Sequence, residues 1–414
     1  MPAIFAVLVV FGILFLAQGG FEPFRIPHGS PTPLENDAAL VARGDYLATI
    51  GNCAACHTQR GGQAYAGGRP FSSKYGTLYS PNITPDREHG IGDWSLEEFA
   101  HTMRFGVSRR GVQYPAFPYQ QFALMSDGDL KALYAFLRTV PASQDDAPAN
   151  QLEFPASSRT VMIGWRLLYE RPAPRNDALS TDVGAYLVES IAHCGACHSE
   201  RNSKGAFVAG RHLAGGVLPD SGWDAPALDR SSLSKFSNDE LAAYLRSGNT
   251  PHGAAFGPMA ETIFSGLHAL TPDDALKMAR YLKQRPPLPS KAQSVVPEAI
   301  VGHETVNGAE VYHHACAACH GDDGEGKAGK YPALRQSAAA TAEDPTNLLR
   351  LTLYGAVAPT TPDNPRPYSM PPFVYELKRE EVAAVANHVR EKFGERHSVL
   401  TAADIRTHEG IVVQ

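Results

Sequence analysis

The sequence carries "CAACH" at residues 53–57, "CGACH" at 194–198 and "CAACH" at 316–320, and these three stretches use all six cysteines of the 414-residue chain. Cys-x-x-Cys-His is the attachment sequence for c-type haem, in which both sulfurs become thioethers to the porphyrin and the histidine is the proximal iron ligand. The spacing has a mechanical reason. One helical turn between the sulfurs spans the two vinyl positions, and the adjacent histidine then points at the iron. Cys53, Cys56, Cys194, Cys197, Cys316 and Cys319 are therefore the expected attachment residues, and His57, His198 and His320 the expected proximal ligands, of three covalently bound haems c. A zinc site would need a second ligand pair near each motif, and none follows. Disulfides would leave three adjacent histidines unexplained.

A net charge of -6 gives no basic bias, which argues against a nucleic-acid partner. The 37 glycines and 32 prolines suit a chain that wraps a cofactor in loops. At the N-terminus, "MPAIFAVLVVFGILFLAQGGF" has no charged side chain before Glu22. Its apolar stretch from Ala3 to Ala17 is slightly shorter than the about 20 residues of a comfortable span. Residues 1–20 are expected to be an N-terminal membrane anchor. The competing reading is a signal peptide cleaved near Ala17-Gln18-Gly19, which the missing basic n-region weakens. Either route leaves the bulk of the chain on the periplasmic side of the cytoplasmic membrane.

The motifs recur within a longer repeat. Each is preceded by a short helix-like segment opening with glycine, at Gly44, Gly184 and Gly308. Each is followed by a closing helix: "MSDGDLKALYAFLRTV" from Met125, "LTPDDALKMARYLKQ" from Leu270 and "LKREEVAAVANHVREKFG" from Leu377. Thr271 is the expected N-cap of the second, with Pro272 at the first helical position and Asp274 completing a capping-box-like pair. Ser126 is the expected cap of the first.

The resulting organisation is mainly α: three tandem class I cytochrome c-like domains at 38–140, 181–285 and 301–396, preceded by a transmembrane helix. A linker at 141–180, a proline-rich linker at 286–300 and a C-terminal tail at 397–414 complete it. Within the first linker, a helix over "SRTVMIGWRLLYERP" would place Val161, Met162, Trp165, Leu168 and Tyr169 on one stripe and Arg159 and Arg166 elsewhere. That stripe packs between domains one and two, or docks on a partner subunit or membrane surface.

The stretch "GDYLATIGNCAACHT...GGQAYAGGRPF...YGTLYSPNITPD...GIGDWSLEEF...GVSRRGVQYPAFPY...MSDGDLKALYAFL", with "HCGACHS" and "CAACHGDDGEG", resembles the triheme cytochrome c subunits of bacterial membrane-bound alcohol and aldehyde dehydrogenases. The likeness runs from about Gly44 to Gly394. It implies electron transfer from a catalytic dehydrogenase subunit towards ubiquinone or a terminal oxidase. In this family the catalytic partner carries either pyrroloquinoline quinone or molybdopterin with iron-sulfur clusters. Nothing in this chain resembles the binding domain of either, so the substrate chemistry lies in the partner.

Met370 in "PYSMPPF" is the only methionine after His320, in a loop fixed by its neighbouring prolines, and Met259 lies in a similar Gly-Pro loop in "FGPMAE". Both are expected distal iron ligands, whose soft sulfur raises the reduction potential, while Met278 is a core residue of the closing helix. In domain one the corresponding place is Phe117 in "YPAFPYQQF", and a phenyl ring cannot ligate iron. The alcohol dehydrogenase branch has methionine there. "PAFPY" is more similar to cytochromes partnered with molybdopterin dehydrogenases, which points to a molybdopterin/iron-sulfur aldehyde dehydrogenase as partner and leaves a quinoprotein alcohol dehydrogenase as the alternative. Met125 reads as a hydrophobic staple against Leu130 and Met103 as core, which leaves Gln121, His101, water or an open iron on haem one. An open iron keeps two functions of another class in view, a multihaem peroxidase and a haem gas sensor.

Overall fold

In the computed structural model, residues 25–33, 37–170, 179, 181–219, 221–288, 306–327, 330–335 and 337–409 are described. The first half of the chain runs through α1 (Ala38–Ile50), α2 (Leu96–Phe105), α3 (Asp127–Leu137), α4 (Arg159–Tyr169) and α5 (Val183–Glu189). The second half runs through α6 (Asn238–Ser247), α7 (Gly257–Ser265), α8 (Pro272–Gln284), α9 (Gly308–Ala315), α10 (Thr346–Tyr354) and α11 (Arg379–Gly394). The strands are short and antiparallel. One set of three places Gly76–Tyr79 between Pro70–Ser73 and Gln151–Leu152, and the remaining pairs are two-residue hairpin arms.

The three glycines expected to open each repeat are where its first helix crosses its closing helix. A Cβ on Gly44 would lie 2.0 Å from the Ala132 carbonyl oxygen in α3. On Gly184 it would lie 2.2 Å from that of Lys277 in α8, and on Gly308 2.1 Å from that of Ala384 in α11. No side chain fits at such distances, so glycine lets the two backbones touch and the flanking apolar residues mesh. Gly44 lies inside α1, not at its start, because Asp37 caps the helix seven residues earlier by accepting from the Ala39 and Leu40 amides.

By contact the chain divides into two compact units, Met1–Asp182 with Tyr186–Ala196, and Val183–Ala185 with Cys197–Gln414. In the first, α1 packs on α3 and buries Leu47, Ile50, Leu130, Leu133 and Leu137. The peptide from Tyr186 to Ala196 belongs to this core: the Tyr186 hydroxyl donates to Asp129 Oδ2 at 2.8 Å, and Ile191 lies against Gly51. In the second unit, α8 packs on α6 around Leu241, Leu245, Met278 and Leu282, and α11 packs on α9 and α10 around Tyr312, Leu349, Leu353, Val385 and Phe393.

The expected caps form. Ser126 accepts from the Asp129 amide, and Thr271 accepts from the Asp274 amide with Pro272 at the first helical position. The N-terminal transmembrane helix does not stand. Among the described residues no helix is long and apolar enough to cross a membrane, and the expected anchor at residues 1–20 lies outside the described residues. The longest described helix, α11, has 16 residues and carries charged side chains in its first turn and near its end. From residue 289 the proline-rich linker likewise lies outside them.

Candidate haem-binding sites

The proximal side is built the same way three times. Each motif occupies a single helical turn, Cys53–Cys56, Gly195–His198 and Ala317–His320. From that turn His57 Nδ1 reaches the Pro81 carbonyl oxygen at 2.7 Å, His198 Nδ1 that of Pro226 at 2.7 Å, and His320 Nδ1 that of Pro332 at 2.9 Å. A carbonyl only accepts, so Nδ1 carries the proton and donates, leaving the Nε2 lone pair for a metal. Burial lowers the pKa of all three imidazoles and favours this neutral form.

A glycine joins each histidine to its proline. The amides of Gly67, Gly215 and Gly326 donate to the carbonyls of His57, His198 and His320 at 2.7, 2.8 and 2.8 Å. All three have positive φ, and a Cβ on any of them would strike the backbone at Pro81, Pro226 or Pro332. In the first site Arg69 Nη1 also donates to the Ala55 carbonyl inside the motif at 2.8 Å.

Cys53 and Cys316 are not poised for redox exchange. Burial pushes Cys53 up to about 12 and Cys316 up to about 11, the opposite of the depressed values of an activated dithiol. Among the described residues no group of His, Cys, Asp and Glu converges to hold a metal ion as a zinc site would.

The regions expected on the distal side differ. α2 and α6 have the same construction: a Ser-Glu capping box at Ser95/Glu98 and Ser237/Glu240, then a left-handed C-cap at Gly106 and Gly248, then a hairpin. In the hairpins Val107 pairs with Val112 and Asn249 with Ala254. The next residues, Gln113 and Ala255, donate back to Gly106 and Gly248 at 2.8 and 2.7 Å. With this register Phe117 stands six positions after Gly111 and Met259 six after Gly253. Met259 lies in the first turn of α7, not in a loop. In the third repeat Gly355 caps α10, and Met370 sits in the hairpin itself, paired with Ala356. Met103, Met125 and Met278 are buried core residues.

The linker helix α4 forms, and its expected stripe is split between the interior and the surface. Met162 and Arg166 are buried, while Val161, Leu167, Tyr169 and above all Leu168, 79 % exposed, point outward. The guanidinium turns inward because its donors are met there. Arg166 Nε bonds Glu170 at 2.8 Å, Nη1 bonds the Gly106 carbonyl at 3.1 Å, and the group lies 4.3 Å from the centroid of the Tyr119 ring. The Tyr119 hydroxyl bonds Glu170, so α4 locks the segment that follows Phe117.

The prolines and the glycines beside them are not apparent from the sequence. Their separations from the histidines are 24, 28 and 12 residues, so no fixed spacing marks them. What they build suits haem c: paired thiols on one turn beside an imidazole whose outer nitrogen is already fixed. Held there, such a group supplies one-electron redox chemistry.

Residues 41–141 and 305–392 match the family model for cytochrome c. The gluconate 2-dehydrogenase cytochrome c subunit of Pantoea cypripedii is 38 % identical over 89 % of this chain and 89 % of its own length. The cytochrome c subunit of the quinone alcohol dehydrogenase of Gluconobacter oxydans is 36 % identical over 92 % of this chain and 84 % of its own. The fructose dehydrogenase cytochrome subunit of Gluconobacter japonicus is 34 % identical over 91 % of this chain and 84 % of its own. Likeness across nearly the full length, on top of the repeated histidine and proline geometry, places the chain among the cytochrome c subunits of dehydrogenases, electron-transfer proteins that carry covalently bound haem c.

Proposed function

We propose that the chain holds three haems c, one at each Cys-x-x-Cys-His, and passes electrons from a catalytic dehydrogenase subunit to ubiquinone or a terminal oxidase on the periplasmic side of the cytoplasmic membrane. The observation that carries this reading is the threefold proximal arrangement, in which His57, His198 and His320 each donate Nδ1–H to a proline carbonyl beside a cysteine pair. Met259 and Met370 supply distal sulfur in the second and third domains, and Phe117 leaves the first without a thioether. Intact mass tests the count. Three haem additions with no alkylatable thiol are expected, and any other number overturns it.

The partner is a molybdopterin/iron-sulfur dehydrogenase of the aldehyde type, a choice supported by Phe117 in "PAFPY". The 36 % identity to a quinone alcohol dehydrogenase subunit favours the second reading, a pyrroloquinoline quinone enzyme. Cofactor analysis of the complex purified from membranes separates them: molybdenum is expected, and pyrroloquinoline quinone without molybdenum reverses the order. Deleting this chain is expected to stop electron flow to the membrane while substrate oxidation with artificial dyes continues.

A further inference from the structure

Arg350 in α10 is 1 % exposed, yet its Nε and Nη1 have no hydrogen-bond partner. Among the described residues no carboxylate pairs with it, and burial pulls its pKa down. A cation buried without an anion is costly, and native proteins keep one where something outside the chain supplies the charge. Beside it a second donor is in the same condition. The Trp223 indole is 4 % exposed, and its Nε1 has no partner. The guanidinium carbon of Arg350 lies 5.5 Å from the Trp223 ring centroid.

The surroundings assign these donors to one site. Asn347, one turn before Arg350, accepts from the Asp224 amide at 3.0 Å and donates to the Asp224 carbonyl at 2.7 Å, which pins α10 next to Trp223. Three positions after Trp223 is Pro226, the acceptor for His198 Nδ1. The indole ring also meets Gly257, where a Cβ would come within 2.8 Å of Cε2, a carbon bonded to Nε1, and Met259 follows two residues later. Trp223 therefore joins the segment that fixes His198 to the segment that carries Met259, with Arg350 against it.

We propose that Arg350 and Trp223 Nε1 together hold a propionate carboxylate of the haem attached at Cys197 and ligated by His198, so that a helix of the third repeat anchors the cofactor of the second. This rests on the assignment of haem c to that motif. A carboxylate accepts from several donors at once and neutralises the guanidinium. Removing the cation leaves a bare negative charge near the iron, which favours the ferric form.

Spectroelectrochemical titration of the full chain tests this, with His198→Met and His320→Met each marking the wave of its own haem. In Arg350→Gln the His198-marked wave is expected to fall by about 59 mV, a tenfold drop in the reduced-to-oxidised ratio for one electron. Arg350→Lys keeps the charge and restores most of the shift, and Trp223→Phe lowers the same wave by less. Movement of the His320-marked wave instead, or of none while the mass shows three haem additions, overturns the proposal. A mass with fewer additions in the unmutated protein overturns the haem assignment itself, so the two failures are told apart. If Arg350→Gln fails to fold, Trp223→Phe decides: an unmoved His198-marked wave rejects the assignment.

Discussion

The first and second repeats agree wherever backbone meets backbone and part where one side chain decides. On the proximal side both have a histidine bonded to a proline carbonyl at 2.7 Å and a positive-φ glycine pressed between them. Behind the distal side both have a capped helix, a left-handed glycine and a hairpin of equal register. Yet the position those elements deliver is Phe117 in one and Met259 in the other. Backbone contacts of this kind tolerate no added atom, whereas the position after the hairpin differs in side chain and in setting, Met259 lying in the first turn of α7 and Phe117 standing before the short helix Tyr119–Phe122. On the proposed assignment, the attachment half of such a domain is fixed, while the ligand half is free to set the potential.

The largest effects test what the repeats share. Changing both cysteines of one motif to alanine, Cys53 with Cys56 or Cys316 with Cys319, is expected to remove one haem from the intact mass and leave the others in place. Exchanging the distal residues comes next. Phe117→Met is expected to raise the potential of the first haem and slow its binding of carbon monoxide, and Met259→Phe to lower the potential of the second and open it to carbon monoxide. Redox titration and flash photolysis read both. If Phe117→Met changes neither, another residue already occupies the distal face and the contrast between the repeats is lost.

The helix crossings are a smaller test of the shared frame. Gly44→Ala and Gly308→Ala force a Cβ to within 2.0 and 2.1 Å of a carbonyl oxygen, with an expected cost of about 3 kcal/mol each, the upper range for overpacking. Met125→Ala is expected to cost about 2 kcal/mol, the lower end for a buried methionine. The staple position alone suggests less, but this side chain is 3 % exposed and belongs to the core. Denaturant unfolding followed by far-ultraviolet dichroism measures all three, and an unchanged haem spectrum in Met125→Ala excludes it as an iron ligand.

The parts legible in the sequence are those written in consecutive residues. The three motifs, the caps at Ser126 and Thr271, and the glycines before each motif are local signals, and the structure finds a structural use for every one. Partners brought in by loops of unequal length carry no such mark, which is why Pro81, Pro226 and Pro332 stay hidden until the chain is folded. The inward face of α4 is hidden for a related reason. Apolar spacing places the stripe but cannot show that Tyr119, Glu170 and the carbonyls of Phe105 and Gly106 gather around Arg166 and bury it beside Met162. The contact of Asn347 with Asp224 joins residues of two repeats, and nothing local announces it.

The smallest effects lie at the starts of the closing helices, where the third repeat departs from the other two. Ser126 and Thr271 each turn a hydroxyl oxygen onto the amide three residues on, at 3.1 Å in both cases. At the same place in the third repeat stands Lys378, whose side chain has no acceptor, and only the reciprocal half of the box is made, with Glu381 accepting from the Lys378 amide at 2.8 Å. Ser126→Ala and Thr271→Ala are expected to cost about 1 kcal/mol each, and Lys378→Ser to add a stabilisation of similar size. Hydrogen exchange resolves these changes because it reads local opening free energy at single amides. The Asp129 and Asp274 amides are expected to exchange about fivefold faster after loss of their caps, and the Glu381 amide more slowly in Lys378→Ser, for a change of about 1 kcal/mol. Equal exchange at Glu381 in both forms would mean that the Glu381 carboxylate alone holds the third helix start, and that the hydroxyl caps of the first two repeats are dispensable in the same way.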